Sequence, residues 1–109
     1  SSCIDLSPRA SGVYICNSSL DQSHYVELKT DSTYVHHYKS SIGITTNEGK
    51  WQLHYDNNVP EISFSNWIHL SPEEQKIYGN KPYATSVLLR KNQLIFNFDA
   101  NEENFTKKE

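Results

Sequence analysis

The chain of 109 residues is poor in several residue types that particular folds and chemistries require. It has no methionine, only four glycines, and alanine only at positions 10, 84 and 100. Helix-rich proteins use alanine heavily, so this scarcity argues against a helical bundle. A Gly-rich phosphate-binding loop is disfavoured by so few glycines, and no such motif is present. No apolar run approaches the roughly 18–20 residues that a membrane-spanning helix needs.

The sequence also lacks an excess of basic residues. Ten Lys and Arg stand against thirteen Asp and Glu, which gives a net charge of −3 and a pI near 5.9. Binding to nucleic acid relies on clustered cations that neutralise phosphates, so we expect no nucleic-acid partner. The length is that of a single domain with one modest core.

Aromatic and turn-forming residues are abundant instead. Aromatic residues make up 12% of the chain and include seven tyrosines, and there are fourteen serines and ten asparagines. Aromatic side chains favour strands, whereas Ser and Asn favour turns and solvated strand faces. The composition therefore predicts a β protein.

Alternating apolar and polar residues indicate where the strands lie. Val26 and Leu28 share one face of a predicted strand, and Tyr34, His36 and Tyr38 share one face of the next. The short polar turn between the two segments predicts a hairpin. The same alternation places Trp51, Leu53 and Tyr55 on one face of a later strand. In the two strands after it, the side chains predicted to face inward are Ile62, Phe64, Leu94, Phe96 and Phe98.

Turn and helix signals divide the rest of the chain. Asn47-Glu48-Gly49 predicts a turn before a strand over residues 50–55, and residues 56–60 predict another turn. Ser71-Pro72, followed by two acidic residues, predicts a short helix that Gly79 ends.

Together these signals predict one all-β domain over residues 12–99. A polar tether over residues 1–11 precedes it, and a flexible polar tail over residues 100–109 follows it. The expected fold is an antiparallel meander of six to eight strands that closes into a small barrel or curls into a half-barrel, with one short helix near residues 72–78.

Of the two cysteines, Cys3 directly follows Ser1 and Ser2. Small residues before a cysteine resemble the end of a bacterial lipoprotein signal, in which the cysteine is diacylated and anchors the protein to a membrane. Alternatively, Cys3 forms a disulfide with Cys16, worth roughly 3 kcal/mol in the chain-entropy model, or the thiols are free. Lipidation of Cys3 and the disulfide exclude each other, and the sequence leaves these alternatives open.

Four segments within residues 12–64 resemble the small lipocalin-like lipoproteins of bacterial envelopes. They are Gly12-Val13-Tyr14, the run from Val26 to Tyr34, Gly49-Lys50-Trp51-Gln52-Leu53 and Ile62-Ser63-Phe64. In that family an opening Gly-x-Tyr strand is followed by a Leu-x-x-Asp-Gly-Thr-Tyr hairpin and a Gly-x-Trp-x-Leu strand. Here Ser replaces the hairpin glycine, and no counterpart follows residue 66. The resemblance implies a lipocalin-like barrel without catalytic residues, either lipid-anchored in the envelope or periplasmic or secreted.

Five histidines invite a metal or acid–base interpretation. His36 and His37 are adjacent, so they point to opposite faces of a strand and cannot bind one ion. A zinc site needs three or four convergent ligands, and no close-spaced set supplies them. His54, Asp56 and Glu61 lie near one predicted turn, where polar side chains normally face solvent. We therefore expect no metal, no cofactor and no enzymatic activity.

Five aromatic residues exceed what a thin core needs and form the candidate binding face: Tyr34, Tyr38, Trp51, Phe64 and Trp67. Trp67 breaks the alternation set by Ile62 and Phe64, so we expect a bulge there. The alternative is that these side chains are the core. The leading hypothesis is a non-enzymatic, exported or membrane-anchored lipoprotein domain that binds a protein or a small apolar ligand through this face, and contacts a membrane only through a lipid on Cys3. The alternatives are a soluble inhibitor or immunity-type partner protein and a small carrier of apolar ligands.

Overall fold

The chain folds into a closed barrel of eight antiparallel strands, as seen in a computed structural model that describes residues 10–19 and 23–108 apart from the side chain at position 73. Each strand pairs with the next in sequence, and the eighth pairs with the first. The strands are β1 (Gly12–Cys16), β2 (His24–Leu28), β3 (Thr33–Ser40), β4 (Gly43–Asp56), β5 (Val59–Trp67), β6 (Tyr83–Arg90), β7 (Gln93–Ile95) and β8 (Phe105–Lys107). A short helix, α1 (Pro72–Tyr78), connects β5 to β6, and a 3-10 turn (Asn101–Glu103) precedes β8. The predicted all-β class, the barrel and the short helix are confirmed.

The hairpin between β2 and β3 lies where the alternation predicted it, with Leu28 opposite Tyr34. Ser32 adopts a left-handed conformation in the turn, with φ of 71°. The Asp31 carboxylate accepts hydrogen bonds from the amide of Thr33 at 3.1 Å and from its hydroxyl at 2.5 Å. These side-chain hydrogen bonds hold a turn that has no glycine.

The turn predicted at residues 47–49 was wrong, because β4 runs through it without interruption. The chain reverses earlier, at residues 41–42. Gly49 serves close packing rather than a turn: a Cβ atom there would lie 2.5 Å from the Ser65 carbonyl oxygen and 2.8 Å from the Tyr34 ring. The Tyr34 side chain crosses over this glycine, and its hydroxyl donates to the Ser65 carbonyl at 2.5 Å.

Strand β5 is irregular near Trp67, as the broken alternation predicted. Its register with β6 shifts between Phe64 and Trp67, and Asn66 has a φ of 55°. The Asn66 side-chain amide donates to the Glu48 carbonyl at 2.9 Å, which fastens the irregularity to β4. The register shift turns Trp67 into the barrel, where its side chain is buried.

The segment over residues 100–109 is not the flexible tail that its charge predicted, because β8 lies within it and closes the barrel against β1. The buried Asn104 side chain fastens this closure. Its oxygen accepts from the amides of Phe96 and Asn97 at 2.8 and 2.9 Å, and its nitrogen donates to the Asn97 carbonyl at 3.0 Å. Phe105 follows and packs in the core. These two buried side chains, together with the pairing of β8 to β1 and β7, order a segment that is otherwise polar.

The predicted tether over residues 1–11 lies mostly outside the described residues, as does Cys3. Ala10 is described and is 2% exposed, so it belongs to the core and not to a tether. Its carbonyl accepts a hydrogen bond from the Tyr14 hydroxyl at 2.6 Å. The packed domain therefore begins before residue 12.

Helix α1 begins and ends at the residues that the sequence indicated. The Ser71 side chain accepts a hydrogen bond from the Glu74 amide at 3.2 Å, Pro72 occupies the first turn, and Gly79 ends the helix with φ of 84°. No helix in the described part of the chain is long and apolar enough to cross a membrane.

We expect Gly49→Ala to lower the free energy of unfolding by about 1–3 kcal/mol, the usual cost of overpacking a core. The added methyl group would overlap both the Ser65 carbonyl and the Tyr34 ring. Urea denaturation measures the change. Thr46→Val, on the exposed part of β4, is the matched control and should alter stability by no more than about 0.5 kcal/mol. Equal stability of the Gly49 variant and the parent chain would contradict this account of the glycine.

Candidate ligand-binding site

Two adjoining hollows lie next to α1. The inner cavity has a volume of about 160 Å³ and is lined by buried side chains such as His36 and Phe105 together with half-buried and exposed ones. The outer cleft, lined by residues of β2, β3, α1 and the 3-10 turn, has a volume of about 730 Å³. His24, Glu74 and Glu103 line both, so the two hollows meet at these three side chains.

Aromatic rings form much of the wall of the inner cavity. Trp67 and Phe96 lie 5.1 Å apart between ring centroids, and Phe96 and Phe105 lie 5.4 Å apart. Tyr78 of α1 and Tyr83 of β6 add two more rings to the lining. Such walls suit a flat apolar group, because offset and tilted ring contacts stabilise aromatic neighbours.

His24 and His36 form a buried pair that reaches from the outer cleft into the interior. Their Nε2 atoms are 2.8 Å apart, and their rings stack with centroids 5.0 Å apart. At this distance one Nε2 donates and the other accepts, so the neutral pair shares one proton between the two nitrogens. His36 also stacks on Trp67 at 4.2 Å, and His24 meets Phe105 edge to face at 5.1 Å.

Burial keeps this histidine pair neutral. Desolvation lowers the pKa of His24, and the negative charge of Glu74 opposes that change. Desolvation and then the charge of His24 lower the pKa of His36 well below its ordinary value. The Ile68 backbone offsets part of this lowering of the His36 pKa. Nδ1 of His36 has no hydrogen-bond partner among the described residues.

A second polar chain connects β6 to α1 through His69. The Oε2 atom of Glu74 lies 2.6 Å from Nδ1 of His69, and Nε2 of His69 lies 2.7 Å from the Tyr83 hydroxyl. An ionised carboxylate only accepts, so His69 donates from Nδ1, and in its neutral form it accepts the Tyr83 proton at Nε2. Ser71 donates to the other Glu74 oxygen at 3.1 Å, so the residue that caps the helix also orients this carboxylate.

The hydrogen-bonded side chains of Tyr83, His69 and Glu74 are better suited to binding a ligand than to nucleophilic attack. Desolvation, then the charges of Glu74 and Tyr78, raise the pKa of the Tyr83 hydroxyl. A raised pKa keeps the hydroxyl protonated near neutral pH, and a protonated phenol is a weak nucleophile. The Tyr83 oxygen and the Glu74 carboxylate are therefore available to the hollows as hydrogen-bond acceptors.

Only two of the five aromatic residues predicted as a binding face lie at this site. Trp67 lines the inner cavity and Tyr38 lines the outer cleft. Tyr34, Trp51 and Phe64 are buried in the core. The Trp51 ring nitrogen donates to a backbone carbonyl at 2.8 Å, and the Tyr34 hydroxyl is likewise bonded within the barrel. For these three the interpretation as core holds.

The sequence interpretation missed His24, His69, Glu74 and Tyr83 as site residues. A signal for His24 was present, because it shares a strand face with Val26 and the short hairpin turn brings that face alongside the face of β3. His69 and Tyr83 carry no such signal, because fourteen residues separate them and α1 lies between them in the chain.

Cys16 is a free, buried thiol that lines the outer cleft, and its sulfur donates to the Glu102 carbonyl at 3.3 Å. Within residues 10–19 and 23–108, no group of three or more His, Cys, Asp and Glu side chains is placed to hold a metal ion. His54 and Glu61 lie 3.6 Å apart on β4 and β5, and they line neither hollow.

Known proteins add no homology to this geometry. No family model, no curated protein and no solved structure matches the chain. The chemistry of the site therefore rests on its own residues, and the resemblance to lipocalin-like lipoproteins stays a prediction.

We expect the free energy of unfolding to fall as the pH is lowered from about 7 to about 5. The two buried histidines have a lowered pKa in the folded state, so the unfolded chain takes up protons first once the pH drops below 6.5. The slope is at most about 1.4 kcal/mol per pH unit for each histidine. Urea denaturation at a series of pH values measures it.

His36→Phe should reduce this pH dependence, because it removes one of the two titrating rings and keeps an aromatic ring against Trp67. Val26→Ala is the control: it destabilises the same strand pair at every pH but leaves both histidines, so it should keep the slope of the parent chain. An unchanged slope in the His36→Phe variant would contradict the assignment of the pH dependence to the buried histidine pair.

Proposed function

We propose that this protein is a non-enzymatic binding domain that holds a small ligand with a ring-sized apolar group in the inner cavity. The observation that carries the proposal is a cavity of about 160 Å³, walled by aromatic side chains and joined to a larger cleft. A protein cavity of about 150 Å³ is large enough to hold benzene. The outer cleft lies in the size range of small-molecule sites, roughly 300–1,000 Å³, and can receive the rest of the ligand.

A non-enzymatic role is supported by the state of the polar groups. Tyr83 has a raised pKa and remains protonated, and the histidine pair uses its facing nitrogens on each other. Catalysis would call for a group whose pKa is matched to proton transfer and whose lone pair reaches a substrate. In this proposal the domain is exported and held at a membrane by a lipid on Cys3. The small residues before that cysteine, Ser1 and Ser2, are the observation that supports this part of the proposal.

A protein partner is the second candidate, and one observation favours it. The reversal between β3 and β4 leaves Ile42 and Ile44 exposed by 93% and 63% at the tip of a long hairpin. Isoleucines exposed this far on one tip are a contact surface that a partner protein could bury. Neither isoleucine lines a hollow, although Ile44 pairs with Lys39 of the outer cleft, so the experiment below separates the two candidates at the inner cavity.

The test is titration of the isotope-labelled chain with 2-phenylethanol, a neutral molecule with a benzene ring, followed by NMR. We expect the largest shift changes at Trp67, Phe96 and Phe105, with saturable binding. Thr85→Phe should weaken binding at least tenfold, because residue 85 lines the inner cavity and the added ring would occupy it.

Ala84→Phe is the matched control, since it places the same ring at the neighbouring exposed position of β6. It should bind 2-phenylethanol like the parent chain, and thermal melting checks that both variants fold. Absence of saturable shifts at the cavity residues would overturn the proposal. Shift changes confined to the hairpin tip would favour the partner-binding candidate.

A further inference from the structure

Acidic side chains outnumber basic ones where the two hollows meet. Glu74 and Glu103 line both hollows, and Glu102 lines the outer cleft. Against these three carboxylates, Lys39 is the one basic side chain among the described residues that line the outer cleft. The net charge that a ligand meets at the entrance to the inner cavity is therefore negative.

His24 and His36 do not offset this negative charge. Desolvation lowers the pKa of both residues, so near neutral pH both rings are neutral. His36 is 1% exposed, lines the inner cavity and leaves Nδ1 without a hydrogen-bond partner among the described residues. An unpartnered nitrogen at that depth is unfavourable unless something else contacts it. Nε1 of Trp67, a residue that is 2% exposed and lines the inner cavity, likewise has no partner among the described residues, and it indicates, independently of the carboxylates, that the cavity receives a polar ligand group.

The hydrogen-bonding capacity left at the junction is that of acceptors. Glu103 accepts a hydrogen bond from the Asn97 side chain at 2.7 Å, and Glu74 accepts from His69 and from Ser71. A carboxylate offers about four lone-pair directions, so each retains capacity to accept more. The Tyr83 hydroxyl lies 2.7 Å from Nε2 of His69, and its oxygen keeps a lone pair that can accept a hydrogen bond. A ligand that satisfies this set must bring donors, whereas Nε1 of Trp67, a donor in the lining of the inner cavity with no partner among the described residues, calls for an acceptor.

The aromatic wall supports the same conclusion. Trp67 and Tyr78 are the kinds of ring that attract cations to their faces, and both line the inner cavity. One face of each ring is stacked on a histidine, Trp67 on His36 at 4.2 Å and Tyr78 on His69 at 4.6 Å, so a cation would meet a ring only at its other face. A carboxylate ligand would meet like charge at the junction instead.

We infer that the ligand is an organic amine in its ammonium form, with its apolar ring or chain in the inner cavity and its ammonium group between Glu74 and Glu103. This inference rests on the proposed function, since it names the chemical class of the molecule bound at that site. The three or fewer donors of an ammonium group match the acceptors of the two carboxylates and the Tyr83 oxygen.

Three probes that share a phenyl ring test the inference on the full chain by isothermal titration calorimetry near pH 7. They are 2-phenylethylamine, which is cationic, 2-phenylethanol, which is neutral, and 3-phenylpropionate, which is anionic. We expect the amine to bind about tenfold more tightly than the alcohol, and the carboxylate to bind more weakly than the alcohol.

Glu103→Gln removes the charge while keeping a group that can accept from Asn97. We expect it to lower the ratio of amine affinity to alcohol affinity, because one of the two carboxylates that face the ammonium group loses its charge while Glu74 keeps its own. Glu61→Gln is the matched control, because it makes the same charge change on β5 at a residue that lines neither hollow. It should leave all three affinities within about twofold.

The outcomes separate the two levels of the proposal. Equal binding of the three probes, or preference for the carboxylate, would overturn the amine inference and leave the binding function standing. Failure of all three to bind would overturn both. If Glu103→Gln does not fold, the ranking of the three probes on the parent chain decides the inference by itself.

Discussion

The stacking of Trp67 on His36, with ring centroids 4.2 Å apart and planes within 10°, joins the apolar part of the barrel interior to its polar part. On one side Trp67 packs against Phe64 and Phe96, which belong to the hydrophobic core. On the other side His36 forms a hydrogen bond with His24, which lines the outer cleft. The register shift in β5 makes this contact available, because without it Trp67 would not turn inward. The inner cavity lies against the same two rings, so the site depends on that irregularity.

Polar groups buried near one end of the barrel bond to one another rather than to the core. The histidine pair, the chain from Tyr83 through His69 to Glu74, and the Asn104 side chain each satisfy most of their hydrogen bonds internally. Buried polar groups are costly when unpaired and specific when paired. The network therefore holds α1 and β6 in place beside the cavity, while Nδ1 of His36 and Nε1 of Trp67 have no partner among the described residues. A rigid acceptor-lined junction of this kind is what a binding site needs to avoid ordering costs.

The periodicity of two in the sequence predicted the inward faces of β2, β3 and β5, since alternation depends only on neighbouring residues. The same reasoning failed at residues 47–49, where Asn-Glu-Gly has turn composition but Gly49 is needed for the crossing of Tyr34. It failed again after residue 99, because a charged segment with only two inward-facing side chains has the local composition of a flexible tail. In both places a contact distant in sequence outweighed the local signal.

By itself the sequence determined the fold class, the hairpin order, the short helix with its Ser71 cap and the irregularity at Trp67. These features follow from local spacing, turn chemistry and capping, which act over a few residues. Only the tertiary structure decided that the barrel closes through β8, that Tyr34, Trp51 and Phe64 are core, and that His69 meets both Tyr83 and Glu74. Such features depend on which strands become neighbours across a closed sheet. No local sequence pattern predicts which side chains far apart in the chain will be in contact.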